Sequence, residues 1–152
     1  MARRPLATLA AALTLTLVLG GCNAMRDQVS GPPLDENGVA ITKVVKDAVA
    51  EALPDAVETN TSTHLDGFAN TLTVTVRWPD EVPLDATPLQ DGARAICENV
   101  RGYDVVNFGF YLVGAERRAG ILDAWSQAFP DLSPARDTVA RIWEDDCPVV
   151  LA

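Results

Sequence analysis

The stretch Leu6–Leu19 constrains this chain most. It is fourteen consecutive residues without a charge, drawn from Leu, Ala, Thr and Val. A membrane-spanning helix needs about 20 apolar residues, so this stretch is short for a permanent span. Arg3 and Arg4 precede it, and Gly20-Gly21-Cys22 follow it. A short positive segment, an apolar run and small residues at its end together read as a secretory signal peptide over residues 1–21. Such a segment is removed and takes no part in the fold. What remains is 152 − 21 = 131 residues, enough for one domain and too few for two of ordinary size.

Leu19-Gly20-Gly21-Cys22 is an aliphatic residue, two small residues and a cysteine. It resembles the lipobox of bacterial lipoproteins, and the resemblance covers residues 1–22. The resemblance implies that diacylglycerol is attached to the Cys22 sulfur and that Cys22 becomes the mature N-terminus. The first charge after the apolar run, Arg26, lies beyond the cysteine. Each buried methylene contributes about 0.8 kcal/mol, so one acyl chain holds marginally and two suffice. The expected location is the outer, extracytoplasmic face of the cell membrane, with the membrane as a partner through the lipid. Arg3-Arg4 is a poor match to a twin-arginine signal, and the general secretory route is expected.

Three cysteines are an awkward number for an exported chain. Lipidation of Cys22 would leave Cys97 and Cys147. Outside the cytoplasm that pair is most simply a disulfide, with two buried free thiols as the alternative. The spacing excludes a CxxC redox pair and a zinc site built on one.

The formal charge is −9. Residues 1–21 carry two arginines and no acid, so the mature chain stands at −9 − 2 = −11. Strong negative charge favours solubility and disfavours nucleic acid, which is not expected as a partner. It also disfavours direct docking on anionic headgroups.

Residues 22–37 contain Ser30-Gly31-Pro32-Pro33 and no clear apolar period, and read as a flexible tether. A single domain is expected over 38–152. Val39, Ile41, Val44, Val45, Ala48, Val49, Ala52 and Leu53 fall at helical spacing, and Pro54 ends that helix. Val57–Leu65 reads as a Thr-rich strand at an edge or with one wet face, and Asp66-Gly67 as a turn. Leu72–Trp78 alternates apolar and polar, the clearest strand of the chain. Thr87 is expected to cap a second helix, with Pro88 at its first position and Gln90 reaching back. Leu89, Ala93, Ile96, Cys97 and Val100 form its buried stripe, and Gly102 suits a left-handed end. Tyr103–Val113 reads as a central strand, because both of its faces are fairly apolar. Arg118–Leu122 is open between strand and helix. Ser133-Pro134 is expected to start a last helix that buries Ala135, Val139, Ile142 and Trp143, and Cys147-Pro148 to end it.

This order implies a two-layer α+β sandwich: an antiparallel or mixed sheet of three to four strands with helices on one face. It is similar to the BON-type and ferredoxin-like arrangements, a likeness that carries no function.

Chemistry is sparse. His64 is the only histidine, with Glu58 upstream and Asp66 just after. If one strand holds both, Glu58 and His64 share a face, but a solvated histidine at a hairpin end is the plainer reading. Glu144-Asp145-Asp146 lacks the alternation and glycine of a calcium loop and reads as a solvated helix end. No nucleophile motif or phosphate loop is present, and neither a cofactor, a metal nor an enzymatic activity is expected. Phe108, Phe110, Tyr111, Trp125 and Trp143 could wall a ligand pocket. Trp78, Trp125 and Trp143 otherwise fall on faces expected to be buried. The expected role is a non-enzymatic interaction module of the cell envelope, binding a protein or polymer. The alternative is a small-ligand or lipid-binding accessory lipoprotein.

Overall fold

The computed structural model describes residues 31–113 and 117–152, without the Arg117 side chain. The signal segment, Cys22 and most of the expected tether lie outside the described residues. A compact unit spans Pro32–Ala152. It starts with a tight turn, six residues before Gly38. The Asp35 carboxylate accepts the backbone N–H groups of Asn37 at 2.9 Å and Val39 at 2.7 Å. An Asp side chain readily closes such a turn on its own backbone.

The first helix, α1 (Ile41–Ala52), buries Ile41, Val45 and Val49, one residue per turn along a single stripe. Pro54 disfavours helical geometry at Leu53, which leaves the helix at φ −119° and ψ 72°. Two antiparallel strands follow, β1 (Glu58–Asp66) and β2 (Ala69–Trp78). Gly67-Phe68 joins them, and Gly67 at φ +67° supplies the left-handed conformation a two-residue hairpin needs.

Helix α2 (Ala86–Asn99) then carries the chain over to β3 (Val105–Leu112), which lies parallel to β2. The helix starts one residue before Thr87. Its cap is Asp85, whose carboxylate accepts the Thr87 N–H at 2.9 Å. Pro88 sits inside the first turn, where its missing N–H has no helical partner to lose. Gln90 does not reach back; its amide donates to the Ala128 carbonyl at 3.3 Å. Gly102 has φ +74°, but the helix ends three residues earlier.

The region left open between strand and helix holds both. Arg117–Arg118 forms a short strand, β4, against Tyr111 and Leu112 of β3, and Leu122–Ala128 forms helix α3. The last expected helix is a correction. Val139–Trp143 is a strand, β5, antiparallel to β3, and Cys147-Pro148 opens helix α4 (Cys147–Val150) instead of ending one. Positions 135, 139, 142 and 143 fit a helical stripe, but as a strand the segment buries Ala140 and Ile142 and turns Val139, Arg141 and Trp143 the other way. In so short a run periodicity alone does not decide, and the unpaired edge of β3 does.

The result is an α+β fold with a mixed sheet in the order β1-β2-β3-β4, and β5 on β3. Strands β5 and β4 share one edge of β3: β5 covers Val105–Gly109, and β4 covers Tyr111 and Leu112. The helices lie on one face. That face carries Leu72, Val74, Val76 and Trp78 from β2, and Val106, Phe108 and Phe110 from β3. Ile142 and Ala140 continue the rungs of Val106 and Phe108. Full burial of each such Val, Leu or Phe contributes about 1.5–3 kcal/mol. Ile121, Trp125, Ala128 and Phe129 close the core from the α3 side. Cys97 on α2 and Cys147 on α4 are disulfide-bonded, their Cα atoms 5.2 Å apart. Among the described residues no helix is long and apolar enough to cross a membrane.

Candidate functional site: the open face of the sheet

Side chains alternate along a strand, so every residue beside a core position points the other way. The second face of the sheet is therefore read directly from the register. It carries His64, Ser62, Asn60 and Glu58 on β1, opposite Thr71, Thr73, Thr75 and Arg77 on β2. Beside these stand Val105, Asn107, Gly109 and Tyr111 on β3. The last column is Trp143, Arg141 and Val139 on β5, continued by Arg118 on β4.

A cleft of about 350 Å³ lies on this face. Thr73, Thr75, Asn107 and Gly109 form its floor, and Arg118, Arg136 and Arg141 stand around it. Gly109 stands at a close approach of two chain segments. A methyl group there would lie 3.2 Å from the Thr138 carbonyl, because the turn before β5 passes over the sheet. In that turn Asp137 takes φ 48°, and the Arg136 N–H donates to the Val139 carbonyl at 2.8 Å.

Arg118 is held in place. Its Nε–H donates to the Tyr111 hydroxyl at 2.7 Å, and its guanidinium carbon is 5.4 Å from the Tyr111 ring centre. A cation over an aromatic face is attracted to the ring, by about 0.5–1 kcal/mol at an exposed site.

The sheet divides the five aromatic residues read as possible pocket walls. Phe108, Phe110 and Trp125 are fully buried in the core. The Phe108 and Phe110 ring centres are 5.0 Å apart, and the Trp125 Nε1–H donates to the Ser133 carbonyl at 3.0 Å. Tyr111 and Trp143 belong to the other face, and only Tyr111 borders the cleft. Trp143 is 43 % exposed, a correction to its expected burial that follows from β5 being a strand.

His64 and Glu58 do share a face of β1, but six residues of strand set them roughly 20 Å apart. Glu58 accepts from the Asn60 amide at 2.8 Å and the Arg77 guanidinium at 3.3 Å. Those two partners, the amide first, hold its carboxyl below the usual range. Glu144–Asp146 forms a single 3-10 turn in which the Asp146 carboxylate accepts the Trp143 N–H at 2.8 Å. Among the described residues no cluster of His, Cys, Asp and Glu could hold a metal ion.

Sequence reasoning missed the arginine cleft. Arg118 falls in the segment open between strand and helix, and Arg136 and Arg141 are scattered along the expected last helix. Reading 139–143 with a period of two puts Arg141 beside Val139 and Trp143 on one face, which is the signal that was available. Comparison of the chain with protein-family models, with curated proteins and with solved structures finds no match.

Proposed function

We propose that this chain is a bacterial lipoprotein, held on the outer face of the cell membrane by acyl chains on Cys22. Its domain is a non-enzymatic interaction module that binds through the open face of its sheet. The observation that carries the reading is the Cys97–Cys147 disulfide. Stable disulfides belong to oxidising compartments, so the pair supports export. It also accounts for two of the three cysteines and leaves the third at the lipobox-like site. The sheet supports the binding part of the reading. One face is closed by helices, and the other carries Thr73 and Thr75, a half-buried Tyr111, an exposed Trp143 and a cleft bordered by three arginines.

A second reading, a small-ligand accessory lipoprotein, is favoured by the cleft itself. Its volume of about 350 Å³ falls at the small end of the range that small-molecule sites occupy.

The test is expression of the full chain in a bacterial host fed a labelled fatty acid. The expected product is membrane-bound, carries the label and begins at residue 22 by mass. Cys22→Ser removes the label and releases the domain. An unlabelled mature protein, or one that begins elsewhere, would overturn the anchor. A photo-crosslinker placed at Asn107 tests the binding face, with one at Glu51 on α1 as control. Adducts from the helix position alone would overturn the choice of face.

A further inference from the structure

The chain carries 21 acidic residues against 12 Lys and Arg. A random patch of its surface should therefore be negative. The open-face cleft is the opposite. Arg118, Arg136 and Arg141 border it, and neither Asp nor Glu lines it. Elsewhere, among the described residues, Lys43 pairs with Asp47 and Arg77 with Glu58, whereas Lys46, Arg94 and Arg101 make no ion pair. Among the described residues none of the three cleft arginines pairs with a carboxylate.

We propose that this cleft binds a small ligand through an oxyanion, a phosphate or carboxylate group clasped by Arg118 and Arg141. The inference rests on the small-ligand reading above and names the chemistry of that site; it does not depend on the lipid anchor.

Three features carry it. The first is charge. Like charges gathered on one face repel one another, and an anion between them relieves that repulsion. The second is preorganisation. A guanidinium presents a rigid planar fork that matches carboxylate and phosphate oxygens. Arg118 is already fixed by the Tyr111 hydroxyl and ring, so little freedom is lost when a ligand arrives. Arg141 is set by the sheet itself, opposite Asn107, two positions along β5 from Trp143. The third is the floor. The Thr73 and Thr75 hydroxyls and the Asn107 amide offer donors and acceptors to the rest of a polar ligand. Gly109 keeps that floor free of a side chain while the Thr138 turn walls one end.

The charged group could belong to a soluble metabolite or to a lipid headgroup, and the experiment separates the two. The full chain in non-ionic detergent is titrated calorimetrically with pyrophosphate and with citrate. In parallel, the Cys22→Ser chain is floated with vesicles of phosphatidylglycerol in phosphatidylcholine. The expected result is saturable binding of at least one probe, weakened by salt. Arg118→Gln or Arg141→Gln should each reduce affinity about tenfold or more, the scale of a lost hydrogen bond to a charged group. Far-UV circular dichroism should stay unchanged in both variants and the melting temperature should move by only a few degrees, since neither side chain belongs to the core. Arginine-dependent binding of the soluble anions alone assigns a metabolite; arginine-dependent flotation alone assigns a headgroup. Absence of saturable binding in every arm, or binding that the double variant retains, would overturn the proposal. A negative titration beside a positive Asn107 crosslink would remove the oxyanion and leave the binding face standing. A negative crosslink beside a positive titration would do the reverse.

Discussion

The Phe108 ring rests on the backbone of α2 at Gly92, where even a methyl group would come within 2.5 Å of its edge. Phe108 is wholly buried and lies on the central strand, so it has nowhere to retreat. Alanine favours an exposed helix over glycine by about 1 kcal/mol. Here overpacking opposes that gain. Gly92→Ala is expected to destabilise the fold by about 1–3 kcal/mol, read as a lower denaturation midpoint with an unchanged slope. A more stable variant would show that the helix can shift freely over the sheet.

The start of α2 separates two possible caps. Asp85→Ala should remove about 1 kcal/mol of stability, because the Thr87 N–H loses its acceptor. Thr87→Ala should change stability by only a few tenths of that, since Thr87 stands within the helix. Thermal melts of the two single variants check the order, and the reverse order would move the helix start to Thr87.

Stability should fall at both ends of the pH range, for different reasons. The Val39 N–H, then the Asn37 backbone and side chain, hold the Asp35 carboxyl below its ordinary 3.8. Asn60 and Arg77 do the same for Glu58 below its ordinary 4.5. A depressed carboxyl gives stabilisation that is whole above the unfolded value and is lost as pH falls through the folded one. Asp35→Asn should therefore flatten the acid limb below about pH 4. Burial raises the Tyr103 phenol above its ordinary 10.0, so the folded state keeps it neutral longer than the unfolded chain does. That advantage is whole below pH 10.0 and fades as pH rises through the folded value. Tyr103→Phe should remove the alkaline limb and leave the acid one. Denaturant midpoints across pH measure both.

Tryptophan fluorescence reports the strand at 139–143. Trp143 is 43 % exposed, whereas Trp78 and Trp125 are buried. Acrylamide should quench one of the three emitters readily, and Trp143→Phe should remove most of that quenchable part. Three equally protected tryptophans would return Trp143 to the core.

Much of the fold is legible in the residues because local and tertiary preferences agree there. Leu72 to Trp78 alternates, and its apolar members are the buried ones. Thr-rich β1 is the edge strand that its composition suggests. The disagreements are local as well. Asp85 and Thr87 are both good caps two residues apart, and only the geometry of the entering loop chooses between them. Residues 139–143 satisfy two periods at once, and an unpaired strand edge far away in the sequence makes the choice. The candidate site was hidden for that same reason. Arg118, Arg136 and Arg141 come from a two-residue strand, a turn and a late strand, and share no spacing. Only the register of the sheet places them together.

The central strand meets β5 only after α3 and a long loop have been made. A polypeptide emerging end first can close the β1–β2 hairpin early, since its contacts are near neighbours. It must then wait, with one flank of β3 raw, until residues 139–143 come through. In that interval any passing extended segment could seize the vacant flank, so crowding while the chain is being made is the hazard this topology invites.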